Sequence, residues 1–157
     1  MSQTFAAIAV RSNGQDVDAG WWNILRLAGV FVESFLGAGF ISPTTFAIAN
    51  NQSAAANVTG LLFSSSVTRS TTIEMQARRV TTGGGAVEVV ERFVYFATYN
   101  TLATSWTLTP GFSGGDNSGM VFSITSGGQV QYTSDNMSAG SYDAANSLLT
   151  FSARTLA

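Results

Sequence analysis

The chain has 157 residues, a formal net charge of −2, and no histidine, cysteine or lysine. That composition removes the side chain that titrates near neutral pH, thiolate nucleophiles, disulfides and thiolate-held metals, and Schiff-base or phosphate-loop lysines. Charged residues make up 10% of the chain, against a usual share of about 25%, so it reads as a protein that assembles or binds rather than an enzyme, and no cofactor is implied.

Residues 1–39 differ from the rest. MSQTFAAIAVRSNG has no basic leader region and no cleavage context, so it is not read as a secretory signal. No run approaches the ~18 apolar residues a membrane span requires, and no membrane insertion is expected. Ser12-Asn13-Gly14-Gln15 marks a turn. Asp16 or Asp18 suits a helix N-cap, and Gly37 and Gly39 supply a stop, which predicts one α-helix over Ala19–Leu36.

That helix carries two apolar stripes. One is Trp21, Leu25, Ala28, Val32 and Phe35; the other is Trp22, Ile24, Leu27, Phe31 and Leu36. A helix resting on one sheet needs a single stripe. The second predicts contact with another surface, and adjacent tryptophans suit a buried interface anchor. Trp21, Trp22, Leu25, Ala28, Phe31, Val32 and Phe35 are therefore the candidate oligomer or partner interface; the alternative is a helix buried within one monomer.

Residues 40–157 read as a second domain, almost purely β. Candidate strands are Phe40–Ala49, Val58–Phe63, Thr68–Val80, Ala86–Asn100, Ser105–Thr109, Met120–Ile124, Gln129–Thr133 and Ser147–Thr155. Thr71, Ile73, Met75 and Ala77 alternate with Thr72, Glu74, Gln76 and Arg78, the pattern of a strand with one wet face. TTGGG before Ala86 and Ser126-Gly127-Gly128 should each close a hairpin. Eight antiparallel strands with Gly/Ser/Asn turns predict a jelly-roll-like β-sandwich preceded by the N-terminal helix.

Chemistry is sparse. A two-carboxylate glycosidase survives the missing residue types, with Glu74, Glu88, Glu91 and Asp116 as the acids. Glu88 and Glu91, three apart on one strand, point to opposite faces. Glu74 and Glu91 could sit on paired strands, where Arg78, Arg79 and Arg92 make cross-strand ion pairs the ordinary explanation. Arg78–Arg79 reads as an exposed strand end, too small a footprint for nucleic acid. Asp116-Asn117-Ser118 lacks the alternating acids of a calcium loop. The Asn-X-Ser/Thr triplets at Asn51, Asn57 and Asn136 occur readily in so Ser/Thr-rich a chain. Trp106, Tyr95, Tyr99, Tyr132 and Tyr142 could form a sugar-binding platform or be packing residues.

The runs NNQSAAANVTGLLFSSSVTRSTTIEMQARRVTT, VYFATYN, GDNSGMVFSITSGGQVQYTSDNMSAGSY and LLTFSARTL, in that order and spacing, resemble a β-sandwich module of tailed-bacteriophage tail fibres and related virion appendages. RSNGQDVDAGWWNILRLAG is similar to the helical lead-in that precedes such modules. The resemblance covers about residues 11–156 and implies a virion structural protein made in the host cytoplasm. It further implies a homotrimer, joined to other virion proteins through the N-terminal segment, with a host-attachment role. Alternatives are a capsid decoration or head-fibre protein, a connector, or a lectin-like module binding a host surface glycan. The candidate ligand-facing loops carry Asp116, Asn117, Asp135, Asn136 and Tyr142. The resemblance brings no catalytic or metal-binding residue.

Overall fold

A computed structural model describes residues 40–156. The predicted helix Ala19–Leu36 and the candidate interface of Trp21, Trp22, Leu25, Ala28, Phe31, Val32 and Phe35 lie outside the described residues, as does the predicted domain 1–39 as a whole.

The described chain forms nine strands: β1 (Ile41–Ala47), β2 (Ala56–Leu62), β3 (Ser70–Thr82), β4 (Glu88–Asn100), β5 (Ser105–Gly115), β6 (Met120–Ile124), β7 (Gln129–Ser134), β8 (Ser141–Tyr142) and β9 (Leu148–Leu156). All pairings are antiparallel. One sheet runs β1-β9-β3-β4-β5, with β8 beside β3; the other runs β2-β7-β6. The chain passes between the sheets after β1, β2, β5 and β7.

Alternation sets which residues meet between the sheets. On β3, Thr71, Ile73, Met75, Ala77, Arg79 and Thr81 are buried, while the residues between them face outward. They meet Phe93 and Ala97 of β4 and Leu149, Phe151 and Ala153 of β9, with Val58, Leu61, Phe122, Val130 and Tyr132 covering them from the small sheet. Aromatic rings join the layers: Phe93 and Phe122 lie 5.2 Å apart edge-on, and Phe46 meets Tyr132 at 5.4 Å. Fully burying each large side chain contributes about 1.5–3 kcal/mol. A closed apolar core is thus what makes this sandwich stable without disulfides.

The predicted hairpins are present. The turn after Thr82 joins β3 to β4, and Gly127-Gly128 joins β6 to β7. Three features differ from expectation. β5 runs on past Thr109 to Gly115, because a bulge at Gly111, opposite the Val94–Tyr95 step of β4, takes up the Pro110–Gly111 irregularity and lets the ladder continue. A two-residue pairing of Ser141 and Tyr142 with Thr82 and Thr81 adds β8. Arg79 is not at an exposed strand end: it is 1% exposed, because its parity on β3 turns it inward, whereas Arg78 faces solvent.

Of the aromatic candidates, Trp106 and Tyr132 belong to the core, and Tyr95 and Tyr99 pack against it, so these four do not form a surface platform. Glu74 and Glu91 do lie on paired strands, but Glu74 aligns with Val94 and Ala77 with Glu91, which puts the two acids on opposite faces of the sheet. The ion pair between these strands is Arg78–Glu88, 2.6 Å and solvent-exposed.

Candidate functional site

Two polar arrangements stand out. The first closes one end of the sandwich. The Arg79 guanidinium, carried inward by β3, donates from Nη1 to the Ser118 carbonyl. From Nη2 it donates to Asn50 Oδ1 at 2.9 Å and to the Asp135 carbonyl at 2.7 Å. Its charge also sits 5.6 Å from the Tyr142 ring centre, a cation–π geometry. Three loops, β1–β2, β5–β6 and β7–β8, are thereby tied to one side chain. Asn50 Oδ1 also accepts the Met137 N–H at 2.8 Å, and Asn50 Nδ2 donates to Asn136 Oδ1 at 3.0 Å. Glu91, facing inward from β4, accepts from Ser118 N and Oγ at 2.8 and 2.6 Å. Glu91 and burial together push the Tyr95 phenol above its ordinary pKa, burial being the larger cause.

The five loop residues expected to face a ligand are gathered at this end, yet the fold uses most of their polar atoms. Asp116 Oδ2 accepts the Val90 N–H at 3.0 Å. Asn117 Oδ1 accepts from Gly119 N at 2.9 Å, Asn136 is held by Asn50, and the Tyr142 hydroxyl donates to the Ile48 carbonyl at 2.7 Å. Among them only the Asp135 carboxylate has no hydrogen-bond partner within the described residues. Their arrangement builds an end cap in which Asp116, Asn117, Asp135 and Asn136 stay exposed while most of their polar atoms are already bonded.

Asp143, in the turn before β9, shows the same economy. The hydrogen bond from Asn146 Nδ2 (2.7 Å) is the main cause holding its carboxyl below the ordinary range; partial desolvation opposes it, and the Ala145 and Asn146 N–H groups and the Arg78 charge add to it. A carboxyl whose pKa is lowered on folding stabilises above its unfolded value, and that contribution is lost as pH falls through the folded one. Acidification below about pH 4 is therefore expected to loosen the 143–146 turn, read as reduced amide protection at Ala145 and Asn146 relative to intrinsic exchange, with Asp143→Ala lacking that protection at all pH values.

The second arrangement lies on the outer face of the large sheet. At Pro43 the register of β1 against β9 shifts between Ile41 and Thr44. Pro43 borders two adjoining depressions there, of about 190 and 130 Å³. Glu74 and Ser152 are common to both. Arg92 and Gln76 line the first, and Arg154 and Phe40 the second. The strand order β9-β3-β4 places Ser152 beside Glu74 and Arg92 beside Gln76. The sequence displays Glu74 and Arg92 as strand residues, but nothing in it announces that Arg154, some eighty positions on, shares their face.

Among the described residues there is no group of three or more side chains spaced to hold a metal ion. No family model matches the chain, and no curated protein matches it. Among solved structures it is similar to the tailspike protein of the Acinetobacter phage vB_ApiP_P1, with a TM-score of 0.34 and 13% identity over 76% of this chain and 20% of that one. The chain thus spans about a fifth of that protein's length, and a likeness this distant supports no inference about activity.

Proposed function

We propose that the protein is a structural component of a tailed-phage particle: a trimeric tail fibre or short surface appendage whose β-sandwich is presented to the host. The observation that carries this reading is the order and spacing of NVTGLLF, SGMVFSITSGGQVQYTSDNMS and FSART, the segments that resemble virion appendage modules. They fall on β2, on the β6–β7 hairpin and on β9, so the resemblance follows structural units rather than scattered words. In this reading the repeated passage between sheets is that of a jelly-roll-like sandwich.

Surface features support assembly. Both edges of the large sheet carry a proline, Pro43 on β1 and Pro110 on β5, which blocks strand addition there. Association then falls to faces and to residues 19–36. On the outer face Phe96 and Phe112 remain 43% and 59% exposed, each ring lying over a glycine, Gly111 and Gly114 respectively. β1 is entered beside Ala153, at the end opposite the Arg79 cap. We assign residues 1–39 to anchoring in the particle.

The test is the mass of the purified full-length protein by light scattering. Three times 16.5 kDa is expected, and Trp21→Ala with Leu25→Ala should give monomers or aggregates. A double variant that stays cleanly trimeric would overturn assembly through residues 19–36. A stable wild-type monomer would favour the decoration or connector reading instead.

A further inference from the structure

We propose that the outer-face groove over β9, β3 and β4 binds a carboxylated saccharide. The proposal stands on the groove alone and does not require the virion reading.

The two shallow depressions lie beside the point where β1 leaves its register, and Pro43 borders both. Bulges of this kind recur beside binding sites because they re-aim side chains and end the regular ladder. Inside the groove an acid stands between two bases. Glu74 lines both depressions, with Arg92 at the first and Arg154 at the second. Neither arginine forms an ion pair with it among the described residues. The contrast is with Arg78, two strand positions further on the same face of β3, whose guanidinium is committed to Glu88 and to the Asn146 carbonyl. The groove side chains of Glu74, Gln76, Arg92, Ser152 and Arg154 make no hydrogen bond to any other described residue.

The chemistry of that set selects the ligand. A sugar ring offers alternating donors and acceptors around an apolar face. Glu74 accepts, Gln76 and Ser152 both donate and accept, and the rings of Pro43 and Phe40 supply apolar walls. Two guanidinium groups against one carboxylate leave a net positive site, and guanidinium pairs with a planar carboxylate through two parallel hydrogen bonds. A neutral sugar would leave that charge unused. The two depressions are each small, and joined they approach the lower end of the few hundred Å³ typical of ligand sites, room for about one or two rings. The framework is rigid, because three of the bordering residues lie on consecutive hydrogen-bonded strands, so little order need be gained on binding.

The experiment is a titration of the full-length protein at low salt with a tetrasaccharide of alternating glucuronic acid and N-acetylglucosamine, followed by amide chemical shifts and calorimetry. Maltotetraose and sodium sulfate serve as neutral and simple-anion probes. The expected result is saturable binding of the acidic tetrasaccharide alone, with shifts centred on Glu74, Ser152 and Arg154. Arg92→Gln and Arg154→Gln should each weaken it about tenfold, the effect of losing one hydrogen bond between charged groups. Arg78→Gln should leave it unchanged. All three substitutions are at exposed or half-buried surface positions, and their thermal midpoints report that the fold is intact. Absence of binding, equal binding of maltotetraose or sulfate, or equal weakening by Arg78→Gln would each overturn the assignment. Shift mapping on the unsubstituted protein tests it without any variant.

Discussion

Replacing Arg79 with alanine should destabilise the sandwich by about 3–5 kcal/mol and lower its thermal midpoint by roughly 10–20 °C. The side chain is buried, and three acceptors depend on it: the carbonyls of Ser118 and Asp135 and Oδ1 of Asn50. Truncation leaves those acceptors without their donor and opens a cavity under Tyr142, and both effects act in the same direction. Burying a guanidinium is itself unfavourable, so the size of the loss depends on how well the carbonyls, the Tyr142 ring and the nearby Glu91 carboxylate offset that cost. Arg79→Met separates the two contributions. It restores apolar volume but no donor, and about half the loss should remain. Arg78→Ala is the control: its ion pair with Glu88 is exposed on both sides, so the change should stay within about 1 kcal/mol. Urea unfolding of the three variants measures all of this. A loss below about 1 kcal/mol for Arg79→Ala would mean that the loops hold the end cap without the arginine.

Gly128→Ala should cost about 3 kcal/mol or more, whereas Gly127→Ala, one residue earlier in the same turn, should cost less than about 1 kcal/mol. Gly128 has φ +90°, a region side chains rarely enter. A methyl there would also be placed against the Phe63 carbonyl oxygen and 2.8 Å from Trp106 Nε1. That carbonyl belongs to backbone and cannot swing away. The Gly128 carbonyl accepts the Phe63 N–H at 3.0 Å, so relief of the clash must pull the β6–β7 hairpin away from the end of β2. At Gly127 the nearest atom is Thr125 Oγ1 at 3.8 Å, ordinary contact. Equal effects of the two substitutions, measured by thermal unfolding, would mean that the β2 junction yields more easily than its geometry indicates.

These two positions show how far local pattern reaches. The Ser126-Gly127-Gly128 run announces a hairpin, and a hairpin is there; which glycine is indispensable depends on Phe63 and Trp106, which arrive from other parts of the chain. At Arg79 the strict alternation of β3 already carried the signal, since Ile73, Met75, Ala77 and Arg79 share one parity. Charge argues against burial, and the outcome turned on acceptors supplied by Asn50, Ser118 and Asp135, none of them near it in sequence. The loop residues Asp116 and Asn136 read as free polar groups because a sequence does not show hydrogen bonds made to Val90 and Asn50, 26 and 86 positions away.

The amino-acid sequence by itself determined the all-β character of residues 40–156, the approximate span of nearly every strand, both glycine hairpins and the wet and dry faces of β3. These follow from interactions between near neighbours: side-chain alternation on a pleated strand and the conformational freedom of glycine. The tertiary structure decided the strand order, the pairing of β9 with β3, the inward turn of Arg79 to close one end, and the meeting of Glu74, Arg92 and Arg154 in one groove. Such pairings are chosen by burial of the whole apolar core at once, a sum over distant residues that no local window contains.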